Sequence, residues 1–295
     1  MPPRERYLPL LVLIASLLTG LSALTAVGQV RAQSGDADPA AIQRLPRDDR
    51  GSAVCGAIQV DWSNTRSLDP ATPGSVSLQA TADDGRVLVD LSRELAPGER
   101  LIPLWCGDLL GDGSQVLGLE TFSGGAHCCF SVSVVALEPS ARHLLDVDLG
   151  NGGLAAPEQI DGSGPLELPG GSDVFAYFDD LSFAASPFMP LVFAYDGQQY
   201  VEATRQFPDR LAAQVDRADA DLAEAVARPA PPGQPPRLMF QEQESVALRL
   251  YGLHVLLGDA DAALPGIQAQ VASPVAEWLA ANAPAAADAM AHVYN

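Results

Sequence analysis

The residues most suited to chemistry lie in one short stretch, TFSGGAHCCF, at positions 121–130. His127 is followed directly by Cys128 and Cys129, and imidazole beside thiols is the composition of thiol nucleophiles and of soft-metal sites. Neighbouring residues of a strand face opposite sides, so Cys128 would point away from His127. A nucleophilic pair also needs an orienting third group and a metal needs a fourth ligand, and the sequence offers neither. We therefore expect structural cysteines.

The chain contains four cysteines, and an even number is typical of disulfide-bonded exported proteins. Two arrangements are compatible with their positions. In the first, Cys128 and Cys129 face opposite sides of a strand and reach separate partners, Cys55 and Cys106. In the second, Cys128 bonds to Cys129 across a tight bend, and Cys55 bonds to Cys106. Two glycines just upstream of the adjacent pair permit such a bend, which favours the second arrangement.

Two further stretches have the frame of an oxygen-ligand calcium loop. DLLGDGSQVL begins at position 108 and QIDGSGPLEL begins at position 159, an offset of 51 residues. The frame D-x-D-x-D-G followed by an acid supplies ligand oxygens from alternate positions, and its glycine permits a sharp turn. The first copy retains Asp108 and Asp112, and the second retains Asp161 and Glu167. These four carboxylates are the candidate Ca²⁺ ligands.

Both copies depart from the full ligand set. Leu110 replaces the middle ligand of the first copy, and Val116 stands where its trailing acid should be. Gln159 and Ser163 fill the remaining places of the second copy and still offer neutral oxygens. Fewer charged ligands bind Ca²⁺ more weakly. We therefore expect turns that keep the loop geometry without a cofactor, with Ca²⁺ binding as the alternative.

An aromatic stretch, VFAYFDDLSF, occupies positions 174–183. Its rings suit either a ligand groove or packing within the core. Asp179 and Asp180 within it are adjacent carboxylates, which suit acid–base chemistry, cation binding or a solvated turn. Of these interpretations, core packing and a solvated turn are the more common.

Residues 1–32 have the three parts of a secretory signal peptide. Arg4 and Arg6 give a positive start, a long uncharged apolar run follows, and Val30 and Ala32 are the small residues of a cleavage site. We therefore expect an exported protein, secreted or held in the cell envelope or periplasm. An uncleaved N-terminal anchor is the alternative, because the run is long enough to span a bilayer of about 30 Å.

Composition argues against several function classes. All seventeen basic residues are arginines, so Schiff-base, P-loop and general-base lysines are excluded. The net charge is −20, and residues 1–32 carry three arginines and one glutamate, so the remainder is more acidic still. Such a surface repels phosphate backbones, which argues against nucleic-acid binding and leaves a protein or an extracellular ligand as the partner. The G-x-S-x-G, H-E-x-x-H, Walker and Rossmann patterns are not present.

Hydrophobic patterning predicts strands first and helices afterwards. Apolar and polar residues alternate around Asp84-Gly85 and again around Asp196-Gly197, and both dipeptides are typical of hairpin turns. Beyond residue 207, apolar residues recur at helical spacing and alanine is frequent. The predicted organisation is a signal peptide at 1–32, a disordered leader at 33–51, a β-rich domain at 52–207 and a helical region at 208–295 that contains a Pro-rich linker at 229–236.

Three segments carry a resemblance to a known group. GDLLGDGSQVLGLETFSGGAHCCF, DLGNGGLAAPEQIDGSGPLEL and VFAYFDDLSFAASPFMPLVFAYDGQQYVEATRQFP occur in this order. Together they resemble bacterial exported proteins with FG-GAP or VCBS-like repeats, the calcium-loop blade units of integrin-type β-propellers. The resemblance covers residues 106–208, and SGGAHCC, GNGG and the closing YDG–Y–T–FP are its specific parts. The loops depart from the group's usual DxxGDGxPEL at Leu110, Gln115, Val116, Gln159, Ser163 and Leu166.

The resemblance implies an α+β protein whose mainly antiparallel β region contains two or three degenerate blade-like repeats. Because a propeller needs at least four blades, we expect an open β assembly whose exposed edge or face is covered by the C-terminal helices. It implies no reaction. We expect an exported, non-catalytic binding or structural module; the alternative is a hydrolase-like enzyme that uses the His127-Cys128-Cys129 stretch or acidic residues.

Overall fold

The computed structural model describes residues 36–65, 72–125, 129–228, 238 and 240–294. The predicted signal peptide, His127, Cys128 and the Pro-rich linker at 229–236 lie outside these residues. The described strands are β1 (Gln43–Arg44), β2 (Arg50–Cys55), β3 (Ile58–Thr65), β4 (Gly74–Ala82), β5 (Val87–Leu95), β6 (Arg100–Gly107), β7 (Val116–Phe122), β8 (Phe130–Ala136), β9 (Arg142–Asp148), β10 (Gly153–Leu154), β11 (Leu168–Ser172), β12 (Met189–Tyr195) and β13 (Tyr200–Glu202). The described α-helices are α1 (Pro208–Ala227), α2 (Gln241–Leu257), α3 (Ala260–Gln270) and α4 (Ser273–Val293).

These strands form three antiparallel sheets, and four helices follow them in the chain. The sheet orders are β2-β3-β4-β5, β1-β6-β7-β8-β9 and β10-β11-β12-β13, so each sheet contains four consecutive strands in chain order. The predicted order of a mainly antiparallel β region before a helical region is confirmed. Across the described parts of the chain, the three sheets do not close on one another as a propeller.

The first sheet follows from period-two patterning. In β3, Ile58, Val60, Trp62 and Asn64 are buried while the residues between them are more exposed, as expected for a strand with one face on a core. The predicted hairpin between β4 and β5 is present, and Gly85 adopts the left-handed φ of +82° that its turn requires.

Strands β6 and β7 of the five-stranded sheet are buried on both faces. Successive residues of β7 point to different cores, since Val116 packs with the helices and the third sheet while Leu117 packs with the first sheet. The same alternation holds in β6, where Trp105 and Cys106 enter opposite cores. Double burial explains why these strands are apolar at nearly every position rather than at every second one.

The described part of the predicted disordered leader, 33–51, is instead packed against the sheets. Ala37 and Leu45 are buried, and β1 pairs with β6 at what would otherwise be an open sheet edge. Arg47 forms an ion pair with the buried Glu120 of β7. The segment has the polar composition that predicts disorder. A few of its apolar and charged residues nevertheless contact distant strands, and these contacts fix the segment in place.

The helices cover the third sheet and one face of the five-stranded sheet. Leu211, Leu222, Leu248, Leu253 and Leu279 lie in the same core cluster as strands β7, β8, β11 and β12. Helix α3 runs without interruption from Ala260 to Gln270 although it contains Pro265. No helix in the described part of the chain is both long enough and apolar enough to cross a membrane.

Candidate functional site

Two of the four cysteines form a covalent brace between two of the described sheets. Cys55 of β2 and Cys106 of β6 form a disulfide with a Cα–Cα distance of 5.9 Å, and both side chains are almost fully buried. The bond joins the first sheet to the five-stranded sheet. Cys129 is also disulfide-bonded, and its partner lies outside the described residues, as do His127 and Cys128. Because Cys129 has no free thiol, it cannot serve as a nucleophile in this state.

The loop between β6 and β7, residues 108–115, contains the first predicted calcium frame and is called loop 1. Asp108 lies at its start and acts as an acceptor for the backbone. Its Oδ1 accepts hydrogen bonds from the N–H groups of Gly111 (2.8 Å) and Asp112 (3.2 Å), and its Oδ2 accepts one from Gly113 (2.8 Å). The carboxylate of Asp112 accepts from the N–H and hydroxyl of Ser114. Loop 1 is therefore closed by its own amide groups.

The loop between β10 and β11, residues 155–167, contains the second frame and is called loop 2. The side-chain amide of Gln159 donates hydrogen bonds to Asp161 Oδ1 (2.9 Å) and to the carbonyl oxygen of Ser163 (2.6 Å). Buried Glu167 accepts a hydrogen bond from the N–H of Ile160 (2.7 Å). Burial raises the pKa of the Glu167 carboxyl above its ordinary value, and the nearby Asp161 charge adds to the shift.

The two loops are neighbours in space. The N–H of Leu166 donates to the carbonyl of Leu109 at 2.8 Å, so a backbone hydrogen bond joins loop 2 to loop 1. Each loop connects the first and second strands of a four-strand meander, β6 to β9 in one case and β10 to β13 in the other. Two stretches 51 residues apart in sequence therefore occupy corresponding places in adjacent sheets.

The residues present do not fit a Ca²⁺ ligand set. In loop 1, the middle and trailing ligand positions hold Leu110 and Val116, and both aliphatic side chains are buried in the core. In loop 2, a hydrogen-bond donor, the Gln159 amide, points at two of the oxygens that a cation would use. Ca²⁺ requires six to eight converging oxygens. Across the described residues, no group of three or more acidic, histidine or cysteine side chains is arranged to hold a metal ion.

Within the described residues, non-glycine residues with strained backbone angles lie in the aromatic stretch. Tyr177, Asp179 and Asp180 have φ values of 57°, 42° and 64°, and they are the described non-glycine residues with positive φ. Side chains other than glycine adopt this conformation at a cost, and such residues persist where surrounding contacts hold them, often at functional sites. Three of them within four positions mark residues 173–188, the segment between β11 and β12, which is called the aromatic loop.

Contacts with the helices hold the aromatic loop in place. The carboxylate of Asp179 accepts hydrogen bonds from the indole N–H of Trp278 and from the side-chain amide of Asn282 at 2.9 Å, both on α4. The hydroxyl of Ser182 donates to the side-chain oxygen of Gln241 at 3.0 Å, at the start of α2. The predicted carboxylate pair thus serves, at Asp179, to anchor a loop rather than to face a reacting group.

The anchored loop presents aromatic rings to solvent. Tyr177 is 51% exposed and Phe188 is 42% exposed, and Phe183 lies between them with ring centroids 5.6 Å and 6.5 Å away. Phe175, in contrast, is fully buried in the core. The sequence interpretation as core packing therefore holds for part of the stretch, while Tyr177 forms a surface strip with Phe183 and Phe188. Exposed aromatic strips of this kind are typical of interaction sites.

The three histidines in the described part of the chain pair with nearby acceptors and do not form a catalytic arrangement. His143 pairs with Asp146 at 2.7 Å, and His254 pairs with Asp259 at 2.8 Å. The ring N–H of His292 donates to the carbonyl oxygen of Asp288, one turn earlier in α4. These three contacts are local, and none of them places an imidazole beside a serine or cysteine nucleophile.

Comparisons with known proteins found no matching family model, no matching curated protein and no matching solved structure. The resemblance to proteins with FG-GAP or VCBS-like repeats therefore stays a prediction.

Proposed function

We propose that this protein is an exported, non-catalytic binding module, and that the aromatic loop is its binding face. The observation that carries the proposal is the cluster of strained residues at 177–180, held by α2 and α4, which presents Tyr177 and Phe188 to solvent. Strain of about 1–3 kcal/mol per residue is retained where a fixed presentation of side chains is useful. A rigid aromatic strip binds a partner with little loss of side-chain entropy.

The β region supplies the scaffold for this face. We propose that it consists of two or three degenerate blade-like units whose loops no longer require Ca²⁺. Support comes from the four-strand meander present in every sheet and from the corresponding positions of loop 1 and loop 2. The amide donors that close both loops support their independence from metal.

Export is supported by the buried Cys55–Cys106 disulfide, because such bonds form and persist in oxidising compartments. The acidic composition supports solubility outside the cell and argues against nucleic-acid partners. A partner protein, rather than a small ligand, suits the aromatic loop, because its rings form an open strip and not an enclosed pocket.

Site-specific photo-crosslinking tests the proposal. A benzophenone amino acid would be placed at Tyr177, at Phe188 or at the control position Val87, in cells that export the chain. Val87 is a suitable control because it is 51% exposed, as Tyr177 is, but lies on the first sheet. We expect one crosslinked product of the same mass from positions 177 and 188 and none from position 87. Equal products from all three positions, or none from 177 and 188, would overturn the proposal.

A further inference from the structure

The surface strip of the aromatic loop lies in a segment whose charges have one sign. The loop contains three aspartates and no arginine, lysine or histidine. Two of the three, Asp179 and Asp180, are exposed, and Asp180 is three positions from Tyr177 and three from Phe183. The rings of the strip therefore share their loop with carboxylates and with no cation.

The two helices that hold the loop add further acidic residues. On α2, Glu242 lies in the first turn and follows Gln241, the residue that accepts a hydrogen bond from the loop. On α4, Glu277 is exposed and directly precedes Trp278, whose indole N–H donates to Asp179. The elements that fix the aromatic rings therefore also surround them with negative charge.

The arginine that contacts this end of α2 does not reverse the charge. Arg228, at the C-terminal end of α1, pairs with Glu242 and also with Glu224. One cation between two carboxylates leaves the group acidic. A partner that approaches this face meets a negative field, so an acidic or phosphorylated partner would be repelled and a basic one attracted.

Exposed rings beside carboxylates suit one protein side chain best. The guanidinium group of arginine is planar and stacks on the face of tyrosine or phenylalanine, and its N–H groups can donate to a carboxylate at the same time. The ammonium group of lysine is more strongly hydrated and lacks the flat shape. A wholly apolar partner would desolvate the carboxylates beside the strip without supplying a donor, which costs free energy.

We propose that the partner of the aromatic loop contacts it through an arginine-bearing segment, whose guanidinium groups stack on Tyr177 and Phe188 and pair with the carboxylate of Asp180. This inference rests on the proposed binding face and adds the chemistry of what that face binds. The two can be told apart. If crosslinks form at positions 177 and 188 but arginine is not required for binding, only the inference fails. If no crosslinks form there, the proposed function fails as well.

Isothermal titration calorimetry of the exported protein with a basic peptide is the test. The probe is acetyl-GRGGRGGRG-amide, and its matched control carries citrulline in place of each arginine. Citrulline has nearly the same shape and removes the charge. We expect the arginine peptide to bind with a Kd of about 10–100 µM and the citrulline peptide to bind at least about tenfold more weakly.

Two variants distinguish a stacked contact from general attraction to an acidic protein. Phe188→Leu removes one ring of the strip without changing the charge and should weaken binding of the arginine peptide about threefold, the scale of an exposed cation–π contact. Asp180→Asn removes one charge and should weaken binding by about the same factor. Asparagine readily adopts the positive φ of position 180, so the backbone of the loop is kept.

A remote variant is the matched control. Asp90→Asn removes the same charge from an exposed position on β5, in the first sheet, and should leave the affinity within about 1.5-fold. The thermal midpoint of each variant shows whether it is folded. Equal binding of the two peptides, no binding of the arginine peptide, an equal loss in Asp90→Asn, or an unchanged affinity in Phe188→Leu would overturn the inference.

Discussion

Loop 1 and loop 2 each join the first and second strands of a four-strand meander, but different groups hold them in shape. In loop 1 a carboxylate, Asp108, accepts three backbone N–H groups. In loop 2 a side-chain amide, Gln159, donates to two oxygens. Loop 2 also has carboxylate acceptors, since Asp161 accepts from the N–H of Ser163 and Glu167 accepts from the N–H of Ile160, but among the described hydrogen bonds no single carboxylate of loop 2 accepts three backbone N–H groups.

Their surroundings also differ. Loop 1 begins two residues after Cys106, whose disulfide ties β6 to the first sheet. Loop 2 is held by an ion pair between Glu158 and Arg210 of α1 and by a hydrogen bond from Ala37 to Gly164. The comparison shows that a calcium-loop frame can be stabilised by ordinary hydrogen bonds in more than one way, and each way predicts its own sensitivity to mutation.

The largest effect should come from the disulfide beside loop 1. Replacing Cys55 and Cys106 together by serine should lower the free energy of unfolding by about 4 kcal/mol, because the bond closes a segment of 51 residues in the unfolded chain. Chemical denaturation measures the change. Amide hydrogen exchange should accelerate at Gly111 and Gly113 more than at Ser163. Equal acceleration in both loops would show that the disulfide does not stabilise loop 1 more than loop 2.

The next largest effect should come from the acceptor at the start of loop 1. Asp108→Ala leaves three backbone N–H groups without their acceptor and should cost about 2 kcal/mol of unfolding free energy. Asp108→Asn keeps one acceptor oxygen and should cost less. Asp161→Ala, the matched change in loop 2, removes an acceptor for one backbone N–H and the Gln159 amide and should cost about 1 kcal/mol. If Asp161→Ala lowered the unfolding free energy in urea more than Asp108→Ala does, the role of Asp108 as the main acceptor of loop 1 would be contradicted.

A smaller effect of opposite sign is expected at Glu167 of loop 2. Burial raises the pKa of this carboxyl in the folded state, so the folded protein holds the proton more tightly than the unfolded chain. The resulting stability is present below the unfolded pKa of about 4.3 and is lost as pH rises through the folded pKa. Glu167→Gln should therefore raise the urea midpoint at pH 7 and leave it nearly unchanged at pH 3. A lower midpoint at pH 7 would indicate that the ionised carboxylate is required.

The sequence predicted the local features of the fold and missed the long-range ones. The hairpin turns at Asp84-Gly85 and Asp196-Gly197 are present because their signals lie within the turns themselves. The packing of the segment before β2 depends on β6 and β7, some fifty or more residues away, and composition alone does not contain that information.

The same division applies to the sites. Tyr177, Asp179 and Asp180 lie in a stretch that the sequence singles out, but only backbone angles reveal that it is strained.

The measurement that tests the account most directly is the thermal midpoint of the exported protein in about 5 mM CaCl₂, in about 5 mM MgCl₂ and in EDTA. If both loops hold their geometry without a cation, the three midpoints should coincide. Gln159→Glu, which replaces the internal donor of loop 2 by a carboxylate, should respond to Ca²⁺ and serves as the positive control. A Ca²⁺-specific rise for the unaltered protein would contradict the account, since a site with a Kd of about 10⁻⁴–10⁻³ M would add about 1–2 kcal/mol of stability.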